Sequence, residues 1–147
     1  MRLGIASDHR GYKLKEQIKN ELDIEIIDYG TYSEESCDYP DFAFKLGEAV
    51  VNKEVDYGIA ICGSGIGISI ACNKVKGVRC AKVSDSEEAH VTRLDNNSNI
   101  VAFSERVPLD EAIDIINTFI NTEYSSEEKH HRRVDKIIKY EEDHYDR

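Results

Sequence analysis

Cys62 ends an apolar run, Tyr57-Gly58-Ile59-Ala60-Ile61, and is followed at once by Gly63-Ser64-Gly65-Ile66-Gly67. If the run is a strand and the Ile/Ala segment beyond the glycines starts a helix, the backbone N–H groups of the turn gather at the helix mouth. There they can hold an anion. The same N–H groups favour a thiolate, which makes Cys62 a candidate nucleophile or base. A cysteine closing a buried strand is most often a small core residue; the glycines beside this one reverse that expectation. Spacing sorts the thiol chemistries. A cysteine phosphatase loop needs an arginine six positions on, where Ile68 stands. A Cys–His hydrolase stays open, because spatial neighbours are not readable from spacing. A dinucleotide site fits poorly: the glycines read GxGxG rather than GxGxxG, and they follow the third strand instead of the first.

Other segments carry polar chemistry. Asp8-His9 follows the first β-like run, and Ser104-Glu105-Arg106 follows the last. His9 could face a phosphate or sugar oxygen. Asp8 could accept a hydrogen bond from a sugar hydroxyl while also capping the helix that follows. Asp95-Asn96-Asn97 closes a helix, where asparagine commonly serves only as a cap. Lys129 and Arg133, at i and i+4, share a helical face and could clamp a phosphate. His130 and His131 are adjacent, so their side chains diverge on a helix, and no HExxH or carboxylate–histidine spacing is present. No metal site and no cofactor are expected. Cys72 and Cys80 fall in core-like patterns, Cys37 in a loop, and His90 on an outer helix face.

The elements that must position these residues alternate along the chain. Strands are expected at Arg2–Ser7, Glu25–Asp28, Tyr57–Ile61, Val78–Val83 and Asn99–Phe103. Between them lie helical stripes: Leu14, Ile18 and Leu22 within Tyr12–Leu22, then Phe42, Ala43, Leu46, Ala49 and Val50 after a polar loop at Thr31–Asp41. Asp85 is a plausible N-cap for a helix towards Leu94. Pro108 opens another, with Ala112, Ile113, Ile116, Phe119 and Ile120 buried. A last helix, Glu127–Glu142, has a thin stripe of Val134, Ile137 and Ile138. Strands recurring at βαβ spacing imply a parallel five-stranded sheet in a three-layer α/β/α Rossmann-like sandwich, with a C-terminal helix. Ligands of such sheets bind beyond the carboxyl ends of the strands, where Asp8-His9, Cys62–Gly67 and Ser104–Arg106 would meet.

Composition limits the partners. A single domain over 1–147 is expected, with 127–147 as a helical tail. The net charge of −10 argues against a nucleic-acid partner. It leaves room for a small phosphorylated ligand near Lys129-His130-His131-Arg132-Arg133. No apolar run reaches membrane-spanning length, and the N-terminus lacks a signal-peptide layout, so a cytoplasmic protein with reduced thiols and no membrane partner is expected.

The chain resembles the type B ribose-5-phosphate isomerases, which are similar to the galactose-6-phosphate isomerase subunits. The resemblance rests on Ser7-Asp8-His9-Arg10-Gly11-Tyr12, Ile27–Thr31, Asp38-Tyr39-Pro40-Asp41, Ile61–Lys74, Asn96–Arg106 and His130–Val134. It implies a metal-free aldose–ketose isomerisation through an enediolate, on ribose 5-phosphate and ribulose 5-phosphate. Allose or galactose 6-phosphate is the alternative substrate, and a non-catalytic sugar-phosphate-binding subunit is the alternative role. In the implied scheme Cys62 moves the proton between C1 and C2, Ser64 assists, and the N–H groups around Gly63, Gly65 and Gly67 stabilise the oxyanion. Some relatives use a glutamate just after the third glycine; Ile68 stands there, leaving Cys62 as the base. Asp8, Tyr39 and Asn96 would bind sugar hydroxyls, and His9, Arg106, Lys129 and Arg133 the phosphate. Relatives often carry a ring-opening histidine where this chain has Asp95, and an arginine where it has Lys129. Family sites combine two subunits, so a homodimer or dimer of dimers, with the tail at the interface, is implied.

Overall fold

The computed structural model describes residues 1–145. Among these, β1 (Arg2–Ser7), β2 (Glu25–Asp28), β3 (Tyr57–Cys62), β4 (Cys80–Lys82) and β5 (Ile100–Ser104) alternate with helices. The helices are α1 (Tyr12–Glu21), α2 (Tyr39–Val51), α3 (Ile66–Cys72), α4 (Ser86–Asn96), α5 (Leu109–Asn121) and α6 (Glu128–His144). The strands pair in parallel in the order β2-β1-β3-β5-β4. This is the expected α/β sandwich. The last two residues of the expected tail, 146 and 147, lie outside the described residues.

The two sheet faces differ in the size of what they present. Leu3, Ile5, Ile59, Ile61, Val101 and Phe103 point to one face, where they pack with Leu14, Ile18, Ala89, Ile115 and Phe119 from α1, α4 and α5. Ala6, Ala60, Cys62 and Ala102 alternate with them and point to the other, against α2 and α3. Period-two alternation along each strand forces this division. The small side chains let α2 press close: a Cβ placed on Gly4 would lie 2.8 Å from Leu46. Cys62 therefore projects to the face covered by α3, whose Ile68 and Cys72 share its cluster.

Boundaries moved where pairing decides them. Val78–Val83 shrinks to Cys80–Lys82, because an edge strand has one neighbour and the Val78 N–H is taken by the Val75 carbonyl in a turn. Helix α2 begins three residues ahead of Phe42, with Pro40 in its first turn, where the missing N–H costs nothing. Asp85 caps α4 as expected, accepting from the Glu88 N–H at 2.9 Å.

At the β2 edge Lys15 is wholly buried, its ammonium held by Asp28 and Glu16. Burial alone would raise the Asp28 pKa, but hydrogen bonds from Lys15 and Lys19 outweigh it and hold the carboxyl below its usual range.

Candidate active site

Three strand ends build the site. β1 stops at Ser7, β3 at Cys62 and β5 at Ser104, and Ala6–Ser7 and Ala60–Cys62 run side by side in register with their neighbours. Beyond these ends lies an open pocket of about 320 Å³ lined by Asp8, His9, Arg10, Tyr39, Cys62, Gly63, Ser64 and Gly67.

Cys62 is 5% exposed and forms the floor of that pocket. The Gly65 N–H donates to its Sγ at 3.2 Å. A donated N–H stabilises negative charge on the atom that accepts it. The turn that aims this amide depends on Gly65, which sits at the N-cap of α3 with φ +79°. A Cβ there would meet the Phe103 carbonyl carbon at 2.6 Å, so only glycine allows the turn to lie against β5. Gly67 is needed for a different reason: the Tyr39 ring lies where its Cβ would be, at 2.7 Å. Ser64 is exposed at the rim, its Oγ accepting from the Ile66 N–H at 3.1 Å.

The β1 end supplies the opposite wall. Asp8 is 6% exposed and caps α1 through Oδ1, which accepts from the Gly11 N–H at 3.1 Å. His9 accepts the Cys37 N–H on Nδ1 at 3.2 Å. With Nδ1 occupied as an acceptor, the ring proton sits on Nε2, which is then a donor for a ligand oxygen. Tyr39 reaches the pocket from the first turn of α2.

Two residues at this end of the sheet lay in segments singled out from the sequence but were given no role of their own. Arg10 lines the pocket and pairs with Glu105 at 3.3 Å, crossing over Gly63 from β1 to β5. Ser104 donates through Oγ to the Gly63 carbonyl at 2.7 Å and accepts the Arg106 N–H at 3.1 Å. Arg10 adjoins His9 in a run already read as chemical, which was a usable signal. Nothing in the sequence marks Ser104 as the clasp of a loop some forty residues away.

The remaining expected residues divide by sheet end. Arg106 lies two positions beyond Ser104, the register partner of Cys62, and so stands at the pocket end. Asp95 and Asn96 do not. They precede Ile100, which is four residues, or roughly 13 Å of strand, before Ser104. Asn96 instead borders a separate cleft of about 400 Å³ with Asn73, Cys80, Ile137 and Glu141. Asp95 faces His130 at the start of α6, Oδ1 to Nε2 at 3.5 Å. Lys129 pairs with Glu127 at 3.6 Å and Arg133 is exposed one turn on, so both belong to this second group. His130 and His131 do diverge. His131 turns the other way, stacking on Tyr124 at 4.2 Å and contacting the Ser125 carbonyl at 2.7 Å. His90 is exposed on α4, against Thr122.

An open parallel sheet with a thiol, a glycine turn and polar side chains at its carboxyl edge has the layout of an α/β enzyme, whose ligands bind at that edge. Comparison narrows the class. Residues 3–137 match the ribose/galactose isomerase family, and the chain belongs to that family. It is 39% identical to ribose-5-phosphate isomerase B of Escherichia coli over 145 residues, covering 96% of this chain and 97% of that one. Ribose-5-phosphate isomerase B of Clostridium thermocellum superposes with a TM-score of 0.93 at 48% identity, over 97% of this chain and 99% of that one. The Mycoplasma genitalium enzyme, solved with bound ribulose-5-phosphate, superposes with a TM-score of 0.88 at 39% identity, over 96% of each chain. No helix among the described residues is long and apolar enough to cross a membrane.

Proposed function

We propose that this protein interconverts ribose 5-phosphate and ribulose 5-phosphate, with Cys62 carrying the proton between C1 and C2. The observation that carries the reading is the Gly65 N–H donated to Cys62 Sγ at the floor of a polar pocket. The thiolate takes the C2 proton of the open-chain aldose. The negative charge then moves to O1, towards the amides of Gly63–Gly67; the O2 proton passes to O1, C2=O2 forms, and the proton held by Cys62 is delivered to C1. A placed general base of this kind contributes about 10²–10⁴-fold, and each donor to the developing oxyanion about as much as 10²–10³-fold. Ser64 stands at the rim to assist at the substrate oxygens. The free oxygen of Asp8 and the Tyr39 hydroxyl suit sugar hydroxyls, and His9 Nε2 with Arg106 suits a phosphate.

One copy leaves this site unfinished. Asn96, Lys129 and Arg133 lie at the far end of the sheet from Cys62, so they serve a phosphosugar only in the pocket of a second copy. Exposed apolar side chains support that arrangement: Ile66 and Ile70, one turn apart on α3 beside the glycine turn, are 55% and 57% exposed. A symmetric dimer that covers this face would bring α4 and α6 of each copy to the other's pocket.

The test is Cys62→Ala assayed with ribose 5-phosphate and, in parallel, with allose and galactose 6-phosphates. Turnover of the pentose should fall by about 10³-fold while its Kd stays within a few-fold. Wild-type turnover of only the hexoses would move the assignment to a 6-phosphohexose. Binding with no solvent deuterium ever entering at C2 would make the chain a non-catalytic subunit.

A further inference from the structure

Arg93 is a buried cation without an anion. It is 5% exposed, in the last turn of α4, and no carboxylate pairs with it among the described residues. Its Nε donates to the Thr122 carbonyl at 3.2 Å, and its Nη1 to Asn97 Oδ1 at 2.9 Å and the Ser98 carbonyl at 2.7 Å. The guanidinium lies 4.8 Å from the centre of the Tyr57 ring. Its Nη2 has no partner among the described residues. Arg79 repeats the pattern: Nε and Nη2 both donate to the Asn97 carbonyl, at 3.2 and 3.1 Å, and Nη1 is left over. Arginine is almost never buried unless paired.

Both guanidiniums line one pocket of about 320 Å³ at the edge where β3 and β5 begin, the opposite end of the sheet from Cys62. Lys53, exposed and without an ion pair among the described residues, stands in its wall with Asp56. Bracing the chain that leaves α4 and α5 accounts for the carbonyl contacts but not for the charge. A helix C-terminus offers about half a negative charge. Two of them with Asp56, whose Oδ2 already accepts from the Arg2 N–H at 2.8 Å, fall short of Arg79, Arg93 and Lys53 together. Glu141 reaches towards Arg79 from α6, where it accepts the Gly77 N–H at 2.8 Å. Burial lowers the Arg79 pKa all the same, and the opposing pull of Glu141 and Tyr124 does not restore it.

We propose that this pocket binds a small polyanion of the phosphate class, whose oxygens accept from Arg79 Nη1 and Arg93 Nη2 on the inside and from Lys53 at the rim. Guanidinium N–H groups form charge-assisted hydrogen bonds to phosphate oxygens in a fixed plane, while lysine follows as a mobile point charge. The site does not depend on the isomerase reading, because none of its residues borders the Cys62 pocket.

The test is calorimetric titration of the full-length protein with pyrophosphate, in a His9→Ala/Arg106→Ala/Arg133→Ala background that removes phosphate binding beside Cys62. One pyrophosphate should bind per chain. Lys53→Ala should weaken it about fivefold and Arg79→Gln about tenfold or more. Asp56→Asn, which removes a repelling charge, should tighten it about threefold. Lys53 and Asp56 are both exposed, so these two variants carry the test if Arg79→Gln does not fold, and their opposite signs are not a signature of unfolding. Amide resonances of Lys53, Asn97 and Asn99 should move on titration. No binding at millimolar pyrophosphate, an affinity indifferent to Lys53→Ala and Asp56→Asn, or resonance shifts confined to Gly63–Gly67 would each overturn the assignment.

Discussion

The Ser104 hydroxyl donates to the Gly63 carbonyl at 2.7 Å, tying the end of β5 to the first residue of the glycine turn. The turn is also held from below, since the Glu105 N–H donates to the Cys62 carbonyl at 2.9 Å. Both bonds act on backbone, so they set where the turn's own amides point. Ser104→Ala removes one of them and orphans a partly covered carbonyl. Stability should drop by about 1 kcal/mol in urea unfolding. Turnover should drop more than the unfolded fraction explains, because the amides lose their aim at Cys62. Unchanged turnover would show that the turn holds its shape without β5.

Gly65 and Gly63 make a paired test of the turn. A methyl at Gly65 meets the Phe103 backbone at 2.6 Å and forces an L-residue to φ +79°; at Gly63 the nearest atom is Arg10 Nε at 3.6 Å. Gly65→Ala should cost more than about 2 kcal/mol, while Gly63→Ala stays within about 0.5 kcal/mol. Thermal or urea melts read both, and similar costs at the two positions would contradict this account of the turn.

Mixing two inactive variants tests the shared site. Cys62→Ala and Arg133→Ala each damage every pocket of their own dimers. In a hybrid, one pocket carries both changes and the other carries neither. Subunit exchange after brief dissociation should restore about a quarter of wild-type turnover at equal mixing, since about half the dimers are hybrid with one sound pocket each. No recovery, with hybrids demonstrated by mass, would place Arg133 outside the pocket.

Asp28 governs an acid-sensitive contribution to stability. Burial pushes its carboxyl upward, hydrogen bonds from Lys15 and Lys19 push it down further, and the net shift is downward. Lys19 is raised in turn, chiefly by its hydrogen bond to Asp28. A carboxyl more acidic in the folded chain than in the unfolded one stabilises fully above about pH 4 and loses that contribution as pH falls through the folded-state value. Asp28→Asn leaves the Lys15 ammonium buried with Glu16 as its remaining anion, and should cost about 3 kcal/mol at pH 7. The gap from wild type should narrow at about pH 3, as followed by urea unfolding at both pH values. A gap independent of pH would mean the loss is one of packing, not charge.

Much of this was legible in the sequence because neighbouring residues decide it. Alternation along Leu3–Ser7 and Tyr57–Cys62 set two buried faces, and the glycines after Cys62 set a turn that only glycine can make. Asp8-His9 and Arg106 were assigned to the pocket end because parallel strands carry every strand terminus to one edge. Contacts between residues distant in the chain were not legible. Ser104 clasping Gly63, Arg10 crossing to Glu105 and Cys37 fixing the tautomer of His9 depend on which strands become neighbours and in what register. The same holds for Asp95 and His130, which meet because α6 folds back on the end of α4. A chain specifies its turns and faces through steric rules acting over a few residues. Which end of the sheet a side chain finally occupies is decided by the packing of whole helices on that sheet.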